Sequence, residues 1–292
     1  MQRTALRRPL FTSLVTSISA ALLLTGGSAL AQAQAQPAPG AKIKVGFMLP
    51  YTGTYAALGS AIENGFRMYV QQQGGKLGGR DIEYFKVDDE SDPAKAPENA
   101  TKLIKRDQVD VVVGTVHSGV QMGIVKVAKE NNTLLIIPNA GADEATGPLC
   151  GANIFRSSFS NWQPGYAMGQ VLAERGMKKV VTLTWKYAAG EQSVKGFKEA
   201  FEAKGGKVVK ELSLPFPNVE FQALITEVAS LKPDVIKAME AAKVDSPRGV
   251  FTLSKAHNPV QDFYLRKVDG RENKVSGVAV KALADPARGC RL

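Results

Sequence analysis

The sequence predicts an α/β fold of two doubly wound, Rossmann-like lobes, the second of them incomplete. Three observations lead there. Short continuous apolar runs alternate with longer segments of helical periodicity, the pattern of parallel strands covered by helices on both faces. The alternation restarts near Asn161 as a second series of the same kind. That second series is short, because a complete lobe takes on the order of 100 to 150 residues and 161–236 holds far fewer.

Taken in order, Ile43 to Leu49 is an apolar run with β-branched members that stops at Pro50, and it reads as a buried strand. Leu58 to Gln73 follows with Ile62, Phe66, Met68 and Val70 at helix-like spacing and ends at Gly74-Gly75. Asp81 to Asp88 is a second strand. Asp92-Pro93 then sets a capping acid and a proline at the start of a helix running to about Arg106, with Leu103 and Ile104 on its inner face. Val109 to Val113 is a strand stopped by Gly114, Val120 to Asn131 a helix, and Leu134 to Ile137 a strand stopped by Pro138. In the second series, helices are expected at Gln163 to Arg175, Gln192 to Lys204 and Asn218 to Leu231, the last capped by Asn218. Strands are expected at Lys179 to Trp185, Lys207 to Leu214 and Pro233 to Ile236. A short helix through Ala242 leads to extended segments at Arg248 to Leu253 and Asp262 to Val268, read as a hairpin with a long connection, and then to Val275 to Val280.

The 292 residues are 44% hydrophobic and 22% charged, with 28 Gly, 15 Pro, 2 Cys and 2 His, an ordinary soluble composition. The formal net charge of +10 raises nucleic acid or an anionic membrane as a partner, so its origin matters. Arg3, Arg7 and Arg8 precede an apolar run from Leu14 through Leu24, too short to span a bilayer. Ala29-Leu30-Ala31 supplies small residues for cleavage, so 1–31 is expected to be a signal peptide and the protein to be periplasmic. Its three Arg and no acids account for three of the ten charges, leaving +7 scattered among acids, and no nucleic-acid partner is expected. Residues 32–42 are a flexible leader rich in Gln, Ala and Pro.

Several motifs then carry a family resemblance. The start KIKVGFMLPYTGTYAALGSAIENGFRMYV, the pair FKVDDESDPAKAPENATKLI, the stretch VDVVVGTVHSGVQMGIVKVAKENN, the strand and loop LLIIPNAGA and the crossing FRSSFSNWQPGYAMG occur in this order. They resemble the branched-chain amino acid binding proteins, the type I periplasmic solute-binding proteins of ABC importers. SNWQPGYAMG, KYAAGEQSVKGF, DSPRG and SKAHNPVQDFYLRKV are most similar to the subgroup associated with aromatic carboxylates. The resemblance implies a first lobe at 43–160, a second at 161–236, and a tail at 237–292 returning to the lobes and hinge. It also implies a small carboxylate ligand, amino acid or aromatic, and partners in a membrane permease and ATPase subunits. In relatives of this kind, a strand like Pro233 to Ile236 is followed by more of the second lobe. Here Ile236 runs straight on, and on the order of a hundred residues are missing, a span comparable with a small domain. A truncated relative without the function and a ligand sensor of the same fold are therefore alternatives.

In open α/β sheets, ligands sit beyond the carboxyl ends of strands, near helix N-termini whose amides favour anions. Ser118 and Gly119, after the strand at 109–113, offer a hydroxyl and an amide there, with His117 beside them, although Ser118 can equally be a helix cap. The resemblance assigns carboxylate or amine binding to Ser118 and to the backbone of Ala140 and Gly141. Tyr51 and Tyr55 offer aromatic walls with polar tips, or simply close the loop over the core. Ala189 stands where the family often has an aromatic, with Tyr187 two residues earlier; Trp162 lines the cleft or packs in the core. The resemblance also favours a disulfide between Cys150 and Cys290 over two separate thiols. The sequence holds no G-x-S-x-G, P-loop or H-E-x-x-H, and only His257 besides His117. Neither catalysis, a metal nor a cofactor is expected.

Overall fold

A computed structural model describes residues 40–217, 220–231, 235–236, 252–254, 259–269 and 272–290. The expected signal peptide, most of the leader, Asn218 and the helix at 237–242 lie outside the described residues.

The first sheet is built from β1 (Ile43–Leu49), β2 (Lys76–Leu77), β3 (Arg80–Asp88), β4 (Val111–Val113), β5 (Leu134–Ile137) and β6 (Ile154–Arg156). They lie in the order β2-β3-β1-β4-β5-β6, all parallel except the β2–β3 hairpin, whose turn at Gly78-Gly79 takes positive φ at both residues. The period-2 pleat splits β1 between two cores. Val45, Phe47 and Leu49 join Val111 and Val113 under α1 (Ala56–Gln72), where Ile62 and Phe66 pack; Phe66 meets Phe47 edge to face at 5.3 Å. Met48 and Val112 point the other way, toward Leu103, Val120 and Ile124 on the opposite layer. That layer comprises α2 (Ala96–Thr101), its π-helical continuation Lys102–Arg106, and α3 (Ser118–Glu130). As the sequence predicts, Asp92 starts it: its Oδ1 accepts from the Ala94 amide and Pro93 opens a short 3-10 turn. Covering both faces of the central strands is what demanded continuous apolar runs.

The second sheet has three parallel strands in the order β8-β7-β9: β7 (Lys179–Lys186), β8 (Lys207–Pro215) and β9 (Val235–Ile236). On one face, α4 (Trp162–Glu174) and α5 (Ala188–Ala203) enclose Leu172, Val180, Phe197 and Phe201. Glycines let these helices touch backbone to backbone, since a Cβ at Gly165 would lie 2.0 Å from the Ser193 carbonyl oxygen. On the other face, Val181, Leu183 and Leu212 pack against Val228 of α6 (Gln222–Ser230), which leaves Ile225 exposed.

The tail forms an antiparallel sheet of β10 (Thr252–Leu253), β11 (Pro259–Asp269) and β12 (Glu272–Leu283). β10 pairs with the start of β11, Thr252 opposite Val260 and Leu253 opposite Pro259, just ahead of the expected segment at Asp262 to Val268, and β12 adds a long partner to β11. This sheet returns to the crossing between the lobes. Gln261 Nε2 donates to the Ser158 carbonyl at 3.1 Å, Gln163 Nε2 to that of Leu283 at 2.8 Å, and Phe159 meets Phe263 at 5.8 Å. A disulfide joins Cys150 to Cys290, with their Cα atoms 5.5 Å apart. Among the described residues, no helix is long and apolar enough to cross a membrane.

Candidate functional site

Each sheet reverses its strand order beside its own first strand, β3-β1-β4 in one and β8-β7-β9 in the other. A crevice opens outside the carboxyl ends of the strands at such a switch point. The loops that leave those ends carry Tyr51 and Tyr55 after β1, His117 after β4, Tyr187 after β7 and Phe216 after β8.

Four of these side chains meet between the lobes. The Tyr55 and Tyr187 hydroxyls share a hydrogen bond of 2.9 Å across the gap. His117 stacks on Tyr187 at 4.7 Å. Phe216 lies in the middle, 4.9 Å from His117, 5.2 Å from Tyr187, 5.3 Å from Trp185 and 5.6 Å from Tyr55. Burial pushes both tyrosine hydroxyls up, so they are neutral donors and acceptors.

His117 also caps α3. Its Nδ1 accepts from the Gly119 amide at 3.0 Å and from that of Val120 at 3.4 Å, a task usually given to Ser, Thr, Asp or Asn. An accepting Nδ1 leaves the proton of the neutral ring on Nε2. Burial holds the imidazole neutral by lowering its pKa to about 4, against the opposing pull of Asp92. The ring is thus fixed in tautomer, and its N–H donor belongs to Nε2.

The other expected site residues are placed differently. Ser118 is buried and its Oγ accepts from Asn161 Nδ2 at 3.1 Å. The Ala140 amide donates to the Thr115 carbonyl at 2.9 Å, and the Gly141 carbonyl accepts from the Asn161 amide at 2.7 Å. Only glycine fits at 141, since a Cβ would lie 2.2 Å from Asn161 Oδ1. Asn161 Nδ2 also donates to Gln192 Oε1, so this polar group ties the loops of the first lobe to α5 of the second. Tyr51 turns away to the layer under α1, with the Lys86 ammonium 3.7 Å from its ring centroid. Trp162 stacks on Tyr166 at 4.4 Å and donates through Nε1 to Glu199. Sequence reasoning missed Phe216 and Trp185. Their available signal was position: both are aromatic at or just past the carboxyl end of a strand in an open α/β sheet.

Beneath the crossing lies a buried charged group. Arg156 is 1% exposed; its Nη2 donates to the Ala142 carbonyl and its Nη1 to Thr146 Oγ1 at 3.3 Å. Asp143, Glu144 and Asp285 supply negative charge around it. Asp143 accepts from the Trp162 amide, yet burial pushes its carboxyl up to about 6.

Two open sheets whose strand ends face each other, with rings of both packed between them, make a two-lobed α/β arrangement. Residues 42–236 match the family model described as "Periplasmic binding protein", two thirds of the chain, and the chain belongs to that family. The fold is that of a type I periplasmic binding protein with the second lobe incomplete. Among solved structures, it is similar to an ABC-transporter solute-binding protein from R. palustris in complex with benzoate, at 38% identity and a TM-score of 0.81, over 86% of this chain and 100% of that one. A second, from Rhodopseudomonas palustris in complex with 3,4-dihydroxybenzoic acid, matches at 31% identity and a TM-score of 0.64, over 68% of this chain and 54% of that one. Leu/Ile/Val-binding protein homolog 6 of Brucella suis is 26% identical over 83% of this chain and 58% of its own length. The chain spans about half the length of the curated relatives it matches.

Proposed function

We propose that this protein captures a small aromatic carboxylate between its two lobes in the periplasm and delivers it to the permease and ATPase subunits of an ABC importer. The observation that carries the reading is the cleft: rings from both lobes converge with two phenol hydroxyls and the Nε2–H of a neutral imidazole. Rings suit a benzene nucleus, and neutral donors suit a carboxylate. Among solved relatives, complexes with benzoate and 3,4-dihydroxybenzoic acid support the same class. The basic and apolar start of the chain supports export through a cleaved signal peptide at 1–31.

Ligand binding acts by population shift: contacts to both lobes favour the closed arrangement, which the permease recognises. No step of this scheme makes or breaks a covalent bond in the ligand.

Calorimetric titration of the purified chain with benzoate, 4-hydroxybenzoate and leucine tests the ligand class. The aromatic acids are expected to bind with one site per chain and to raise the melting temperature, and leucine to do neither. Leucine binding without aromatic-acid binding would reverse the assignment. A sensor of the same fold would bind equally well, so importer function is read separately, by loss of benzoate uptake on deleting the gene.

A further inference from the structure

Phe216 is an unusual occupant for the place it holds. It comes from the turn after β8, outside any strand or helix, yet its ring centroid lies within 5.6 Å of four aromatic side chains drawn from both lobes. Around it are two phenol hydroxyls and an imidazole whose Nδ1 is already used as a cap. A phenylalanine side chain satisfies the rings of this box and none of its polar groups. With a hydrocarbon at the centre, the Tyr55 and Tyr187 hydroxyls bond to each other. An aromatic acid offers the box both a ring and an anion.

We infer that Phe216 is an internal plug, a side chain of the protein that occupies the ligand-ring position and is displaced when an aromatic carboxylate binds. This rests on the aromatic-carboxylate reading above and deepens it: position 216 sets the affinity. Displacement proceeds by rotation of Phe216 out of the box, with exchange of the Tyr55–Tyr187 bond for bonds to the carboxylate. The apparent affinity of the intact chain is then the intrinsic affinity reduced by the small fraction of molecules with the plug withdrawn.

The test is benzoate titration of the full chain beside Phe216→Ala and Phe216→Leu. Removing the plug is expected to tighten benzoate binding by roughly tenfold, with Leu intermediate, since each lost ring contact favours the withdrawn state. Because the plug is withdrawn whenever a ligand is bound, Phe216→Ala is expected to tighten 4-hydroxybenzoate binding by the same factor as benzoate. In stopped-flow mixing, the observed rate for the unaltered chain should level off with benzoate concentration, as plug withdrawal becomes limiting, while that for Phe216→Ala keeps rising. Equal or weaker binding by both variants, each melting cooperatively, overturns the plug and makes Phe216 a clamp or a packing residue. Absence of benzoate binding in all three chains overturns the ligand class itself, which separates the two failures. Should Phe216→Ala not melt cooperatively, the Leu variant alone decides by the same direction of change.

Discussion

The two sheets begin alike and end differently. Both open as a 2-1-3 arrangement, β3-β1-β4 and β8-β7-β9, and both aim the loop after their first strand at the cleft. The first sheet then adds β5 and β6 and buries its centre on both faces, with Val45, Phe47, Met48 and Leu49 all at 0% exposure. The second stops at β9, which pairs through two residues, and its α6 leaves Ile225 half exposed. Yet this shorter sheet supplies Trp185, Tyr187 and Phe216, three of the five clustered rings. The loops after the opening three strands of the first sheet and the first two of the second, with the end of β7, thus carry the clustered rings.

The largest expected effect contrasts the two cores. Phe47→Ala empties a site closed by Phe66 and Tyr84, and should destabilise the protein by about 3–5 kcal/mol. Leu183→Ala faces only the thin layer under α6, which can collapse onto the gap, and should cost about 2 kcal/mol. Urea melts of both variants measure the difference. Equal losses would mean that the second lobe is as firmly closed as the first.

Next in size is the disulfide, which ties the end of the first lobe to the tail across 140 residues of sequence. Cys150→Ser with Cys290→Ser should cost about 2–4 kcal/mol, mainly by releasing the unfolded chain. Because the loop it closes contains the whole second lobe, the loss should fall more on protease resistance of the tail and second lobe than on the first sheet. Limited proteolysis followed by mass mapping reads that asymmetry.

Two buried groups, one in each region that holds the lobes together, give opposing pH dependences. His117 has its folded pKa lowered from 6.5 to about 4. Its contribution is present above pH 6.5 and is lost as pH falls toward 4. Asp143 has its folded pKa raised from 3.8 to about 6. Its contribution is present below pH 3.8 and is lost as pH rises through 6. Each is worth about 3 kcal/mol over its window, so between pH 4 and 6 their slopes largely cancel. Together the two groups should add little net slope to the melting temperature there. Asp143→Asn should leave a protein that weakens on acidification, and His117→Asn, which can keep a cap, one that weakens as pH rises from 4 to 6. Parallel profiles in all three proteins would refute both assignments.

Much of this was legible in the sequence, for a physical reason that also marks the limit. Continuous apolar runs such as Val111-Val112-Val113 announce a doubly covered strand, and Asp92-Pro93 announces a cap, because in each case the local sequence satisfies a local requirement. The end of the family match at 236 coincides with the break read from the missing strands. What escaped is set by long-range contact. Nothing near Phe216 in sequence states that three loops from far along the chain will surround it, and β6 is too short to show a period. His117 stood out as a loop histidine, but its role as a cap follows from a ring orientation that Tyr187 and the α3 amides fix together.

The smallest effect is the most direct probe of how the lobes are held against each other. Tyr55→Phe and Tyr187→Phe each remove one partner of the hydrogen bond that joins a ring of one lobe to a ring of the other, and leave the ring contacts in place. Either change alone should lower stability by about 1 kcal/mol, the ordinary net worth of a hydrogen bond. The double variant should lose little more than either single one, since the bond can be broken only once. Small-angle scattering in the absence of ligand should show a modest expansion in all three variants as the open arrangement gains population. Additive losses in the double variant would show that each hydroxyl has a separate partner, and that the Tyr55–Tyr187 bond does not hold the cleft closed.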